Sequence, residues 1–248
     1  MRNLPCLTLM IAAMLLAATP RAQPAMDEDQ DIANKLAAML RAGRAVISNN
    51  ANLINDPAVG DKGLGGRNVL AQVVTIYHAN TGGDPLAGDP GSRENRLLRA
   101  EMDAIVEVMD ANAASINAKG VGFKGFIPAV FSRLVGEAFS RRAGGEAELK
   151  VTAPPNLVRN RRARPDAWEA ETIATHFQSP DWKKGEPFAA VVKDGDRPIY
   201  RIAVPEYYSQ SCLSCHGTPR GATDITGYPK EGAALGDLGG VISIKLAH

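Results

Sequence analysis

The sequence predicts an α+β protein, a helical first part followed by an antiparallel sheet, and three observations carry that prediction. Apolar residues recur at helical spacing from Asp27 to Phe139. After Leu149 the pattern changes to strand alternation, and the apolar runs 188–192 and 199–204, separated by Asp194-Gly195, read as a β-hairpin. A final run over 240–246 supplies a closing strand. The chain is long enough to bury a real core as one large or two small domains, divided into 1–25, 26–145 and 146–248.

Residues 1–25 read as a secretory signal: Arg2 precedes an apolar stretch over 4–18, then Thr19-Pro20-Arg21-Ala22-Gln23-Pro24-Ala25. The stretch is short for a membrane span, and cleavage is expected after Ala22 or Ala25. A periplasmic protein follows from this reading. In the first helix Asp27, Glu28, Asp29 and Asp31 place negative charge on the opening turn, where the helix dipole favours it. Ile32, Leu36, Met39, Leu40, Val46 and Ile47 form its apolar stripe. A second helix is predicted over 68–80, with Val69, Val73 and Tyr77 on one side. The third, over 94–116, carries Leu98, Met102, Ile105, Met109, Ala113 and Ile116. Pro128 opens a fourth through Phe139, since a first-turn proline loses no helical hydrogen bond.

A 62-residue shift relates these helices. It lays Ile54-Asn55 on Ile116-Asn117, Val59-Gly60 on Val121-Gly122, Lys62-Gly63 on Lys124-Gly125 and Gly82-Gly83 on Gly144-Gly145. Val46, Asn50 and Ala51 fall on Val108, Asn112 and Ala113. The repeat therefore covers about 45–83 and 107–145, each unit a helix, a glycine-rich turn and a second helix. In the second half, Leu149 to Thr152 alternates as a strand that Pro154 and Pro155 end. Arg164-Pro165-Asp166 starts a short helix with Trp168, Ile173 and Phe177, and the helices are expected to pack on one side of the sheet.

Cys212-Leu213-Ser214-Cys215-His216 is the segment that dictates chemistry, because Cys-x-x-Cys-His is the attachment sequence for a covalent c-type haem. Both thiols add across the haem vinyl groups, and the adjacent imidazole of His216 is the proximal iron ligand. A structural zinc site needs four ligands, and no second cluster is present in the sequence. A thioredoxin-like pair wants a βαβ context and has no use for the histidine. The third cysteine, Cys6, lies in the predicted signal, so Cys212 and Cys215 remain, with no structural disulfide possible if both hold haem. With 28 basic and 27 acidic residues the charge balance gives no reason to expect nucleic acid, and no second apolar run suggests a membrane span.

These motifs, with Gly122-Phe123-Lys124-Gly125-Phe126-Ile127-Pro128, Leu149-Lys150-Val151-Thr152-Ala153, Arg159-Asn160, Pro165-Asp166-Ala167-Trp168-Glu169 and Gly227-Tyr228-Pro229-Lys230-Glu231-Gly232, resemble a family of single-haem c-type proteins. That family was long catalogued as a domain of unknown function, and its cyanobacterial representative has a PAS-like fold. The resemblance covers most of residues 100–247. It implies a PAS-like antiparallel sheet with haem at one end and a role in redox or ligand sensing. The cyanobacterial member uses a distal cysteine, which this chain lacks after signal removal; the aligned position falls near Met109. A methionine thioether paired with histidine is a good haem ligand, so Met109 is the distal candidate, against Met39, Met102, His78, His176, His248 and an open sixth position.

Arg159, Arg161, Arg162 and Arg164 are candidates to pair with haem propionates, since guanidinium matches carboxylate geometry. Tyr207, Tyr208 and Tyr228 flank the haem segment and are candidates to bond propionates or line the pocket. No acid–base constellation beside the iron suggests an enzyme. Two functions follow: a periplasmic module sensing redox state or a small diatomic ligand, or a soluble electron carrier with a redox partner protein.

Overall fold

The computed structural model describes residues 22–247. The predicted signal, with Cys6, lies almost wholly outside the described residues, as does His248. The first part comprises α1 (Ala22–Asn49), the single turn α2 (Ala51–Ile54), α3 (Gly66–Thr81), α4 (Arg93–Ile116) and α5 (Pro128–Arg142). The predicted stripes are the buried ones: Ile32, Leu36, Met39 and Leu40 of α1 face Val69 and Val73 of α3 and Leu98, Ile105 and Met109 of α4 in one core. Ser92 starts α4 by accepting a hydrogen bond from the Asn95 amide, and Pro128 occupies the first turn of α5.

Under the 62-residue shift, Gly66, the first residue of α3, falls on Pro128, the first of α5, and Ile54 at the end of α2 falls on Ile116 at the end of α4. The two glycine-rich connections exchange equivalent bonds. Lys62 N donates to Asn117 Oδ1 at 3.1 Å, and Lys124 N donates to Asn55 Oδ1 at 2.9 Å. Lys62 Nζ donates to the carbonyls of Asp56 and Val59, and Lys124 Nζ to those of Ala118 and Val121, the shifted positions. Gly63 and Gly125 both take positive φ, 64° and 71°, which a side chain disfavours. Neither helix pair buries its apolar face alone; each covers the other, and the lysine loops lock the joint.

The second part is a four-stranded antiparallel sheet in the order β1-β4-β3-β2, from β1 (Ala147–Thr152), β2 (Phe188–Asp194), β3 (Arg197–Tyr207) and β4 (Leu238–Ala247). Asp194 pairs with Arg197, so the hairpin turn is Gly195-Asp196, one residue later than the sequence reading set it. The sheet is covered on both faces, which corrects the expectation of helices on one side. Tyr200, Ile202, Val204, Ile242, Ile244 and Leu246 join the helical core. Ala203 and Val241 point the other way, under Ile173 and Phe177 of the segment α6 (Ala167–Thr172) and its π-helical continuation (Ile173–Phe177). The central strands β3 and β4 carry apolar residues on both faces, which forces a second cover. On that face Arg201 is roofed by Trp168 at 4.4 Å and bonded to Asp166 at 2.8 Å.

One core residue breaks the pattern. Glu101 on α4 is 0 % exposed, and neither carboxylate oxygen has a hydrogen-bond partner among the described residues. Burial pushes its carboxyl well above the ordinary carboxylate range. A raised folded value means the folded state binds the proton more tightly than the unfolded chain, so this contribution favours folding in acid and is lost as pH rises toward the folded value. Glu101→Leu is expected to stabilise the protein by about 1–3 kcal/mol near pH 8 and by less near pH 4, measured as urea midpoints.

Candidate functional site

The Cys-x-x-Cys-His segment follows the end of β3. Tyr208 is anchored to the start of β4 by two backbone bonds, Tyr208 N to Asp237 O and Gly236 N to Tyr208 O, both 2.9 Å. Cys212 N then bonds Ser209 O, and the short helix α7 (Leu213–His216) closes through Gly217 N to Leu213 O at 2.9 Å. One helical turn thus carries both thiols, three residues apart and so on neighbouring positions of its surface, followed at once by the imidazole. Cys212 and Cys215 are free and half-buried.

The chain then folds back. Gly221 N to Lys230 O, Lys230 N to Ala222 O and Asp224 N to Tyr228 O close a small antiparallel loop that returns Glu231 to His216. His216 Nδ1 lies 2.8 Å from Glu231 Oε2. Burial raises the Glu231 carboxyl, but bonds from Arg159 and His216 outweigh it and hold the group below its ordinary value, hence ionised at neutral pH. An ionised carboxylate only accepts, so Nδ1 carries the proton. Nε2, on the other side of the ring, has no hydrogen bond among the described residues.

Tyr208 fixes the ring plane, stacking on His216 at 4.8 Å and 23° with Oη 3.4 Å from Nδ1. The Tyr208 ring also lies against Gly239, where a Cβ would sit 2.5 Å from it, so only glycine admits this packing. Burial and then the Glu231 charge push the Tyr208 hydroxyl up to about 12. Arg159 binds Glu231 through Nε at 2.9 Å and Nη2 at 3.0 Å, Asp224 at 2.6 Å and the Cys215 carbonyl at 3.1 Å. Burial opposes ionisation of Asp224, but Thr226, Arg159 and the backbone amides of Thr226 and Tyr228 hold its carboxyl well below the usual range.

The donor set fits a covalent haem: two free thiols on one turn, and a histidine whose Nδ1 is engaged by Glu231 while Nε2 has no hydrogen bond among the described residues. The structure also shows where the other candidates lie. Tyr228 stacks under Arg159 at 5.4 Å, while Tyr207 accepts from Gly185 N and lies under Lys184, facing the 183–186 turn. Arg162 pairs with Glu137. Met109 is 0 % exposed in the helical core, on a helix packed against α1, α3 and α5. Met39 is equally buried, His78 is exposed on α3, and His176 is stacked on Phe188 at 4.0 Å beside Trp182. Glu231 and Asp224 were missed by sequence reasoning. Glu231 stood inside a recognised motif, but nothing local ties it to a histidine fifteen residues earlier.

An α+β protein of paired helices and an open antiparallel sheet, with a Cys-x-x-Cys-His turn between its last two strands, is the class that fold and site define. The chain belongs to the Tll0287-like family, whose profile matches residues 21–247. The match includes α1 and α3, so the first copy of the repeat is part of the family unit. No curated protein and no solved structure matches the chain. No described helix is long and apolar enough to cross a membrane.

Proposed function

We propose that the protein is an exported, PAS-like single-haem c-type module that senses redox state or a small diatomic ligand. The observation that carries this reading is the prepared imidazole: His216, locked by Glu231 and Tyr208 with Nε2 free, directly after two free thiols. When bound, the haem supplies reversible one-electron chemistry and a site for a diatomic ligand. Cys212 and Cys215 fasten it, His216 ligates iron, and Arg159 holds the turn through the Cys215 carbonyl.

Sensing is favoured over simple electron transfer by the route from the site to the helices. Arg41 and Arg44 of α1 clamp Glu206 at 2.6 and 2.7 Å, and Glu206 lies two residues before Tyr208, the ring stacked on His216. These contacts connect the imidazole to α1 by a short path, along which a movement of the ring would be passed on. A pyridine haemochrome assay on the exported protein is expected to give one haem per chain with the band of a thioether-linked porphyrin. Carbon monoxide added to the reduced protein is expected to change the spectrum; an unaltered spectrum supports the electron carrier instead.

Met109 on this reading fills core. Met109→Leu, a swap of nearly equal volume, is expected to cost less than about 1.5 kcal/mol and to leave the oxidised and reduced spectra unchanged. Loss of a sulfur-ligation band in that variant would make Met109 the distal ligand.

A further inference from the structure

We propose that Glu231, steadied by Arg159, is a positioning residue that makes His216 a strongly donating iron ligand and so holds the reduction potential of the haem low; this rests on the haem reading above. A metal-bound histidine whose second nitrogen donates to an acceptor becomes a better electron donor, and an ionised carboxylate is a stronger acceptor than a neutral carbonyl. A more basic imidazole favours the oxidised iron.

The geometry is specific to one carboxylate. Glu231 Oε2 accepts from His216 Nδ1 at 2.8 Å and from Arg159 Nη2 at 3.0 Å, while Oε1 accepts from Arg159 Nε at 2.9 Å. The guanidinium thus pins both oxygens and leaves Glu231 no freedom to turn away from the ring. The site is partly withdrawn from water, with 18 % of the Glu231 side chain exposed, which strengthens each bond. Two backbone ties keep the partners in register: Ala233 N donates to His216 O at 2.8 Å, and Arg159 Nη2 to Cys215 O at 3.1 Å. Asp224 provides the contrast, since it is a carboxylate on the same arginine with no bond to His216.

That contrast supplies the control. In potentiometric titrations of the haem-loaded full chain at one fixed pH, Glu231→Gln is expected to shift the oxidised-to-reduced ratio about tenfold toward reduced, a rise of 59 mV for a one-electron couple. Asp224→Asn removes the same charge from the same arginine and is expected to move the midpoint far less. An unchanged midpoint in Glu231→Gln, or an equal rise in both variants, overturns the proposal. Should Glu231→Gln take up no haem, nitrogen-15 NMR of the haem-free wild-type chain decides: His216 as the Nδ1–H tautomer supports the proposal, and Nε2–H overturns it. Wild-type protein that carries no haem defeats the functional reading, an outcome separate from either result.

Discussion

Cys212→Ala together with Cys215→Ala is expected to abolish covalent haem completely: after denaturation and extraction with acidified organic solvent, no haem absorbance stays with the polypeptide. The fold should survive the change. Both cysteines are half-buried, Cys215 on a four-residue helix and Cys212 capping its start; neither forms a disulfide, and neither belongs to either apolar core. The loop is held by Glu231, Arg159, Tyr208 and backbone bonds, none of which uses a sulfur atom. Circular dichroism and the urea midpoint should therefore stay close to those of the haem-free wild type. The single variants are expected to keep one thioether bond and so retain haem with a shifted spectrum. Haem retained by the double variant after denaturation would remove these thiols from the account.

Arg159→Ala is expected to be the most damaging single change to the site itself. Asp224 has no exposed side-chain surface, and Arg159 is its only cationic partner among the described residues; Glu231 loses its pin in the same step. A buried carboxylate stripped of its cation is costly, and the expected loss is about 2–4 kcal/mol, read from urea midpoints at neutral pH. The sign of the pH dependence follows from the depressed Asp224 value. Its contribution is present above the unfolded value, near 3.8, and disappears as pH falls through the lower folded value. The gap between wild type and Arg159→Ala should therefore narrow as the pH is lowered below about 4. The variant should also load less haem, because the Cys215 carbonyl loses its donor and His216 its fixed acceptor.

Much of this architecture was legible in the sequence because its signals are local. Helical stripes, the proline opening α5, the hairpin and the 62-residue repeat all follow from spacing, and Lys62 and Lys124 stand at equivalent positions in the structure as in the alignment. The Cys-x-x-Cys-His motif is local in the same way, and its residues fall on one short turn. The parts that were not legible depend on pairings between distant segments. Arg159 was read as a candidate partner for propionates; its bonds to Glu231, Asp224 and Cys215, residues 56 to 72 positions away, could not be read from the sequence. The cover on the second face of the sheet was missed because Ala203 and Val241 look like ordinary strand residues until β3 and β4 are known to be central. Glu101 could not be distinguished from a solvated helix residue without the packing that encloses it.

The most direct test of the central claim is the intact mass of the chain recovered after export from cells that attach haem to secreted proteins. The account predicts a polypeptide heavier by one haem, the added mass surviving denaturation and carried by the peptide that contains Cys212, Cys215 and His216. A chain whose mass is that of the polypeptide alone, or lower by two hydrogens because the thiols have joined each other, contradicts it.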